Sequence, residues 1–193
     1  MTDERELLRR AVRGDRDAFG ALVRPRWDLA WRVALRVVGD PEEAKDVVQA
    51  ACLDTWRNAA RIRPEQGFEA WFLRTVVHRA IDALRRRRAR PEELRDELPE
   101  PPRPRPGTRG PAAELETRQL EEALRDATST LSPRRRAVFV LCRVEGWSVD
   151  RAARVLGMSP STVRSHLQEA RREVSRHLAG RWPGFPGGPG GDR

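Results

Sequence analysis

The sequence predicts an all-α protein: two small helical domains joined by a flexible Pro-rich linker, the second a helix-turn-helix domain. Three observations carry that expectation. Apolar residues recur at helical spacing on both sides of a compositional break. Aromatic residues make up 6% of the chain and Tyr is absent, which disfavours a β-sandwich or barrel. The break itself, ARPEELRDELPEPPRPRPGTRGPA, has almost no large apolar side chain and cannot bury enough surface to offset its ordering entropy. The expected boundaries are 1–90 for the first domain, 91–112 for the linker, 113–179 for the second domain and 180–193 for a Gly/Pro-rich disordered tail.

The first helix opens on Asp3 and Glu6, spaced as a capping box, carries Leu7, Leu8 and Val12 as its stripe, and closes at Gly14. Asp15 starts a long segment with Phe19, Leu22, Val23, Leu29, Val33, Val37 and Val38 at helical spacing. Pro25 should kink or interrupt it, and Gly39 should end it. Asp40-Pro41-Glu42-Glu43 is a strong restart: an N-cap, Pro at the first helical position, then acids facing the positive end of the dipole. Val47, Val48, Ala51, Cys52 and Trp56 continue that helix until the loop Arg61–Gly67. A fourth segment, about Phe68 to Arg88, carries Trp71, Phe72, Val76, Ile81 and Leu84 and ends in four consecutive arginines. At this spacing Trp71 is expected in the core.

The second domain should open with a helix over about Glu114–Ala127 and then use Leu131-Ser132-Pro133 to end it and cap the next. That next helix should run through Ala137, Val138, Val140, Leu141 and Val144 to Gly146. Ser148 caps a short helix with Ala152, Ala153, Val155 and Leu156; Gly157-Met158 turns; Ser159-Pro160 starts the last helix through Leu178. This last stretch carries the clearest chemistry. Two helices crossing steeply at a tight turn need a small residue at their contact (Ala153), a residue tolerant of positive φ in the turn (Gly157), and a branched apolar residue facing inward (Val163). That is helix-turn-helix spacing, with the segment from Pro160 as recognition helix. Ser161, Thr162, Arg164, Ser165, Gln168, Arg171 and Arg172 occupy its other face, where short polar residues and arginines can reach phosphates and base edges. The plainer alternative is a helical hairpin with a solvated basic face, but cap, turn glycine and small contact residue agree with one another.

Lys+Arg number 38 against Asp+Glu 29, a formal charge of +9, and Lys45 is the single lysine. A GC-rich codon bias accounts for the preference for Arg, so the clustering of the arginines is the informative part. Arg85–Arg88 follow Arg74 and Arg79 on one helix, more cations than its C-terminal dipole needs, which favours contact with nucleic acid or an acidic protein. No apolar run approaches the ~18 residues of a membrane span, and MTDERELLRR lacks a signal-peptide core, so a cytoplasmic protein without membrane insertion is expected. Cys52 and Cys142 lie far apart among apolar residues, where they read as core fillers. His78, His166 and His177 have no carboxylates at ligand spacing, and no phosphate loop, nucleophile elbow or catalytic carboxylate pair is present. The expectation is therefore a non-enzyme without cofactor or metal, with His166 a surface or packing residue.

Taken in order, these segments resemble bacterial RNA polymerase sigma factors of the extracytoplasmic-function (ECF) class. The resemblance covers about Leu7–Arg88 and Leu115–Leu178. It rests on Gly14-Asp15 ahead of Ala18-Phe19, Gly39-Asp40-Pro41-Glu42-Glu43-Ala44, Asp46-Val47-Val48-Gln49, Phe68-Glu69-Ala70-Trp71-Phe72 and Asp82-Ala83-Leu84-Arg85. In the second half it rests on Leu131-Ser132-Pro133-Arg134-Arg135-Arg136-Ala137-Val138, Glu145-Gly146-Trp147-Ser148 and Ser161-Thr162-Val163-Arg164-Ser165. The resemblance implies that Asp46 and Gln49 dock on the clamp coiled coil of the polymerase largest subunit, the flap being a second contact. It implies that the loop Ile62–Gly67 captures an unstacked base of the minus-ten element, and that the following helix, with Arg74, His78, Arg85 and Arg86, contacts that element as it melts. It assigns the minus-thirty-five element to the recognition helix, the linker to the RNA exit path, and an anti-sigma factor as a further partner. Ala50 and Cys52 stand where the family usually has Glu and an aromatic residue, His78 where Asn is common, and Thr75 and Val77 also depart from the pattern. Two other functions compete: a self-standing helix-turn-helix regulator whose first domain senses or dimerises, and an interaction protein that does not bind DNA. The first has no obvious use for the Asp46/Gln49 helix and the basic-aromatic one; promoter-specific run-off transcription with core enzyme would exclude the second.

Overall fold

The structure, a computed structural model, describes residues 3–63, 67–89 and 122–181. The expected linker, most of the expected tail, Leu115, Leu120 and loop residues 64–66 lie outside them. Every regular element among the described residues is helical. In chain order these are α1 (Glu4–Val12), α2 (Arg16–Val23), α3 (Trp27–Val38), α4 (Pro41–Arg57), α5 (Phe68–Ala89), α6 (122–129), α7 (Pro133–Phe139), α8 (Val149–Leu156) and α9 (Pro160–Arg181). None of them is long and apolar enough to cross a membrane.

Local chemistry explains most boundaries. The Asp15 carboxylate accepts from the Ala18 amide at 3.0 Å and from Arg10 Nε at 2.8 Å, and these bonds, the amide first, hold its pKa below the ordinary carboxylate value. Pro25 interrupts the expected long segment as a short 3-10 turn, Arg24–Arg26, that separates α2 from α3. Asp40 caps α4 through a 2.7 Å bond from the Glu43 amide, with Pro41 at the first helical position. Two expected caps differ. Asp3 accepts from the Arg5 amide, while the Glu6 carboxylate pairs forward with Arg9 at 2.8 Å instead of closing a capping box. Ser132 holds the N-cap position of α7 without a side-chain bond to it.

The helix expected to run through Val144 to Gly146 is α-helical only to Phe139 and continues as a π-helix, Val140–Val144. Ala137, Val138, Phe139, Val140 and Leu141 are all buried, more than one face of an α-helix can hide. They are shared between two apolar clusters, with Phe139 and Val144 in one and the other four in its neighbour. The wider π turn lets successive residues reach both.

The smaller cluster joins α6, α7 and α9 through Ala123, Ala127, Leu131, Phe139, Ala170, Val174 and Leu178. Arg135 ties α7 to α9 through Glu169 and Glu173, both at 2.5 Å. The larger cluster fills α1–α5 and continues without a break into α7 and α8. At its heart Phe68 and Phe72 stack at 5.9 Å, and Phe19 meets Trp56 and Phe68 edge-on. Trp71, expected in the core, is only half-buried and packs against the cluster's margin.

Cys52 and Cys142 are half-buried free thiols at the same margin. Burial pushes the Cys52 thiol up to about 11 and raises that of Cys142. Alkylation of native Cys52 by iodoacetamide at pH 8 should therefore run roughly a hundredfold slower than for an ordinary thiol, and rise about tenfold per pH unit up to that value. Peptide mapping by mass spectrometry measures it; equal rates in native and denatured chains would contradict the burial.

Candidate nucleic-acid and polymerase interface

Three surfaces carry the residues singled out by sequence. The first is the outer face of α4. Asp46 and Gln49 are both exposed one turn apart, because Ala44, Val47, Val48 and Ala51 take the inward positions. Leu53 continues that outer face and is 56% exposed, an unusual placement for a large apolar side chain. Sequence reading missed it, although its lack of an inward partner at i−4 was the available signal.

The second is the edge of α5. Arg74, His78 and Arg85 follow one another along this helix at spacings of about one and two turns and line one cavity of about 280 Å3. The opposite wall is the helix-turn-helix turn, Leu156, Gly157 and Met158, with Arg134 at the start of α7. His78 Nε2 lies 3.4 Å from the Leu156 carbonyl. Arg85 pairs with Asp82 at 3.2 Å, and Arg86 is exposed outside this cavity. The remaining two arginines of the run serve the fold. Arg87 donates to the Val38 carbonyl at the C-terminus of α3 and pairs with Glu43 at 3.2 Å, while Arg88 donates to the Ser129 and Leu131 carbonyls. Glu43 is nonetheless harder to ionise than an ordinary glutamate, because its desolvation outweighs the pull of Arg87.

Beside them Arg136, part of the motif but given no role by sequence, is 4% exposed with its Nε unpartnered. Burial, reinforced by the like charges of Arg87 and Arg88, lowers its pKa to about 10, so it stays cationic at neutral pH. It lies against Gly39, where φ is +86° and a Cβ would stand 2.9 Å from Arg136 Nη2. Glycine is needed there twice over, for the left-handed backbone and for room.

The third surface is α9. Val163, Ala170, Val174 and Leu178 face inward and Leu167 is half-buried, as the spacing predicts. Ser161, Thr162, Arg164, Ser165, Gln168, Arg171 and Arg172 are all exposed. No described residue forms an ion pair with Arg164, Arg171 or Arg172, so these guanidinium groups point into solvent uncompensated. Ser148 caps α8 through the Arg151 amide, Gly157 ends it at φ +64°, and Ser159 Oγ accepts from the Thr162 amide at 3.1 Å to start α9. His166 is half-buried with its Nδ1 enclosed and unpaired, which makes it a packing residue.

A recognition helix presented by a capped helix-turn-helix, next to an all-helical module with a basic edge, defines a DNA-binding transcription protein. Comparison with known proteins specifies the class. Residues 22–90 match the family model "Sigma-70 region 2" and residues 121–174 match "Sigma-70, region 4". The chain is 33% identical over 174 residues to the ECF RNA polymerase sigma factor SigM of Mycobacterium tuberculosis, covering 90% of this chain and 83% of that one. It is 31% identical over 163 residues to the ECF sigma factor SigE of Mycolicibacterium smegmatis, covering 84% of this chain and 62% of that longer protein. Among solved structures it superposes on CnrH, solved in complex with the cytosolic domain of CnrY, with a TM-score of 0.62 at 28% identity, covering 93% of this chain and 99% of that one. The chain belongs to the sigma-70 family, among the ECF sigma factors, whose members direct RNA polymerase to promoters and begin transcription there.

Proposed function

We propose a division of that task among the three surfaces. Asp46 and Gln49, with Leu53 beside them, form the docking face for the clamp coiled coil of core polymerase. Their exposure on a helix whose other side buries Ala44, Val47, Val48 and Ala51 supports this, since a rigid helix holds a small polar-and-apolar patch at fixed geometry. Arg74, His78, Arg85 and Arg86 follow the minus-ten strand along α5, and the loop Ile62–Gly67 is assigned the unstacked base of that element. Ser161, Thr162, Arg164, Ser165, Gln168, Arg171 and Arg172 read the minus-thirty-five element. Residues 1–90 and 113–179 are the corresponding units, with 91–112 as tether. The chain acts as a non-catalytic subunit in the cytoplasm. An anti-sigma protein is a further proposed partner, supported by the recorded complex of CnrH with the cytosolic domain of CnrY.

The observation that carries this reading is the pairing of an exposed Asp46/Gln49 helix with an uncompensated cationic recognition helix in one chain. A self-standing repressor needs only the second. Arginine–phosphate contacts should make DNA affinity fall by about one log unit per log of salt for each phosphate neutralised. The direct test is run-off transcription with purified core enzyme. Asp46→Ala should weaken co-purification with core by about tenfold or more, while binding of the free variant to promoter duplex stays as in the parent chain. Promoter-bound dimers that never associate with core would defeat the proposal.

A further inference from the structure

The loop Ile62–Gly67 is gripped at both of its described ends. At the entry Ile62 is buried in the larger cluster, and its amide donates to the Ala59 carbonyl at 3.1 Å. At the exit Gly67, at φ +72°, leads into Phe68, whose ring is fully enclosed. An enclosed ring holds the start of α5 in place but does nothing for the amide beside it, since the first amides of a helix have no partner within it.

That partner comes from 64 positions away. Glu4, in the first turn of α1, accepts from the Phe68 amide through Oε1 at 3.0 Å. Its other oxygen pairs with Arg26 at 2.5 Å. Arg26 is held in turn: Nη1 donates to the Leu22 carbonyl at 2.8 Å, and the guanidinium lies 5.6 Å from the Phe68 ring centroid. A carboxylate at a helix N-terminus is stabilised by the dipole and by the charge-assisted bond. Glu4 therefore caps α5 while tied to the turn between α2 and α3. Helix α1 also packs against Ala59–Arg61, the turn that feeds the loop, so one helix reaches both loop ends. The match to region 2 begins at residue 22, which leaves α1 outside it, and Glu4 belongs to none of the three proposed surfaces.

We propose that α1 braces the loop Ile62–Gly67, with Glu4 as the positioning residue that fixes the loop's exit through Phe68 and Arg26. This inference rests on the reading of that loop as the one that takes the unstacked base. A loop already held in its binding shape loses less freedom when a base enters, so removing the brace weakens base capture and leaves polymerase docking and minus-thirty-five reading alone.

The test uses the full chain assembled with core enzyme and fork-junction DNA from a promoter that this holoenzyme opens. Each nucleotide of the non-template minus-ten strand is replaced in turn by an abasic one, and the loss of affinity relative to intact DNA is measured. In the parent, one position should cost about tenfold, that of the captured base. Glu4→Ala should shrink this penalty to about twofold, with core assembly unchanged. Partial unfolding would weaken intact and abasic DNA alike and leave their ratio as it was. Glu4→Gln, whose amide oxygen can still accept from Phe68, should keep most of the penalty. A Glu4→Ala holoenzyme with the parent's full penalty, or a Glu4→Gln holoenzyme that loses it as completely as Glu4→Ala, would overturn the brace. A parent holoenzyme that tolerates every abasic position equally would instead count against base capture by the loop, and the brace would fall with it.

Discussion

Phe72→Ala is expected to lower the unfolding free energy by about 3–5 kcal/mol, most of the margin a domain of this size has. Phe72 is fully enclosed, stacks on Phe68 and lies where α5 meets the other first-module helices. Its removal leaves a cavity walled by residues from several helices, which cannot all relax toward it. Urea denaturation followed by circular dichroism measures the loss. A cost below about 1 kcal/mol would mean that this aromatic centre does not hold the module together.

Arg164→Ala carries the largest expected functional effect. The guanidinium is exposed in the first turns of the recognition helix and has no ion-pair partner among the described residues. A good bidentate contact to a base edge discriminates by about 1–3 kcal/mol, so transcription from a promoter that depends on the minus-thirty-five element should fall about 10–100-fold. Assembly with core polymerase should not change, because Asp46 and Gln49 lie on a different helix. Loss of core assembly in this variant would show that the two surfaces have been assigned to the wrong tasks. The same substitution at Arg88 should behave differently: that side chain is bonded to the Ser129 and Leu131 carbonyls and should register in stability before it registers in DNA binding.

Several features of this protein were legible before any coordinates. Asp40-Pro41 is a local signal, since an N-cap and a fixed φ act within one turn, and α4 starts there. Gly157 and Val163 are also local, and the turn and inward face of the helix-turn-helix follow them. Where sequence reading went astray, the competing force came from elsewhere in the chain. Glu6 sits at capping-box spacing, but Arg9 is a stronger partner than a backbone amide. Residues 137–144 have helical spacing, yet two clusters drawing on successive side chains widen the last turns into a π-helix. The four arginines at the end of α5 look equivalent in sequence, and contacts with Val38, Glu43, Ser129 and Leu131 divide them into two that serve the fold and two that remain at the surface.

The amino-acid order by itself determined an all-helical chain, the helix-turn-helix, the inward and outward faces of α4 and α9, and the family. These follow from spacing, caps and turn residues, whose effects span a turn or two of helix. Only the tertiary structure decided that α5 packs against α8, that Glu145 accepts Arg32 and Arg36, and that Arg136 is buried against Gly39. Periodicity states which side chains leave water; which surface receives them depends on shape and charge contributed by residues more than a hundred positions away.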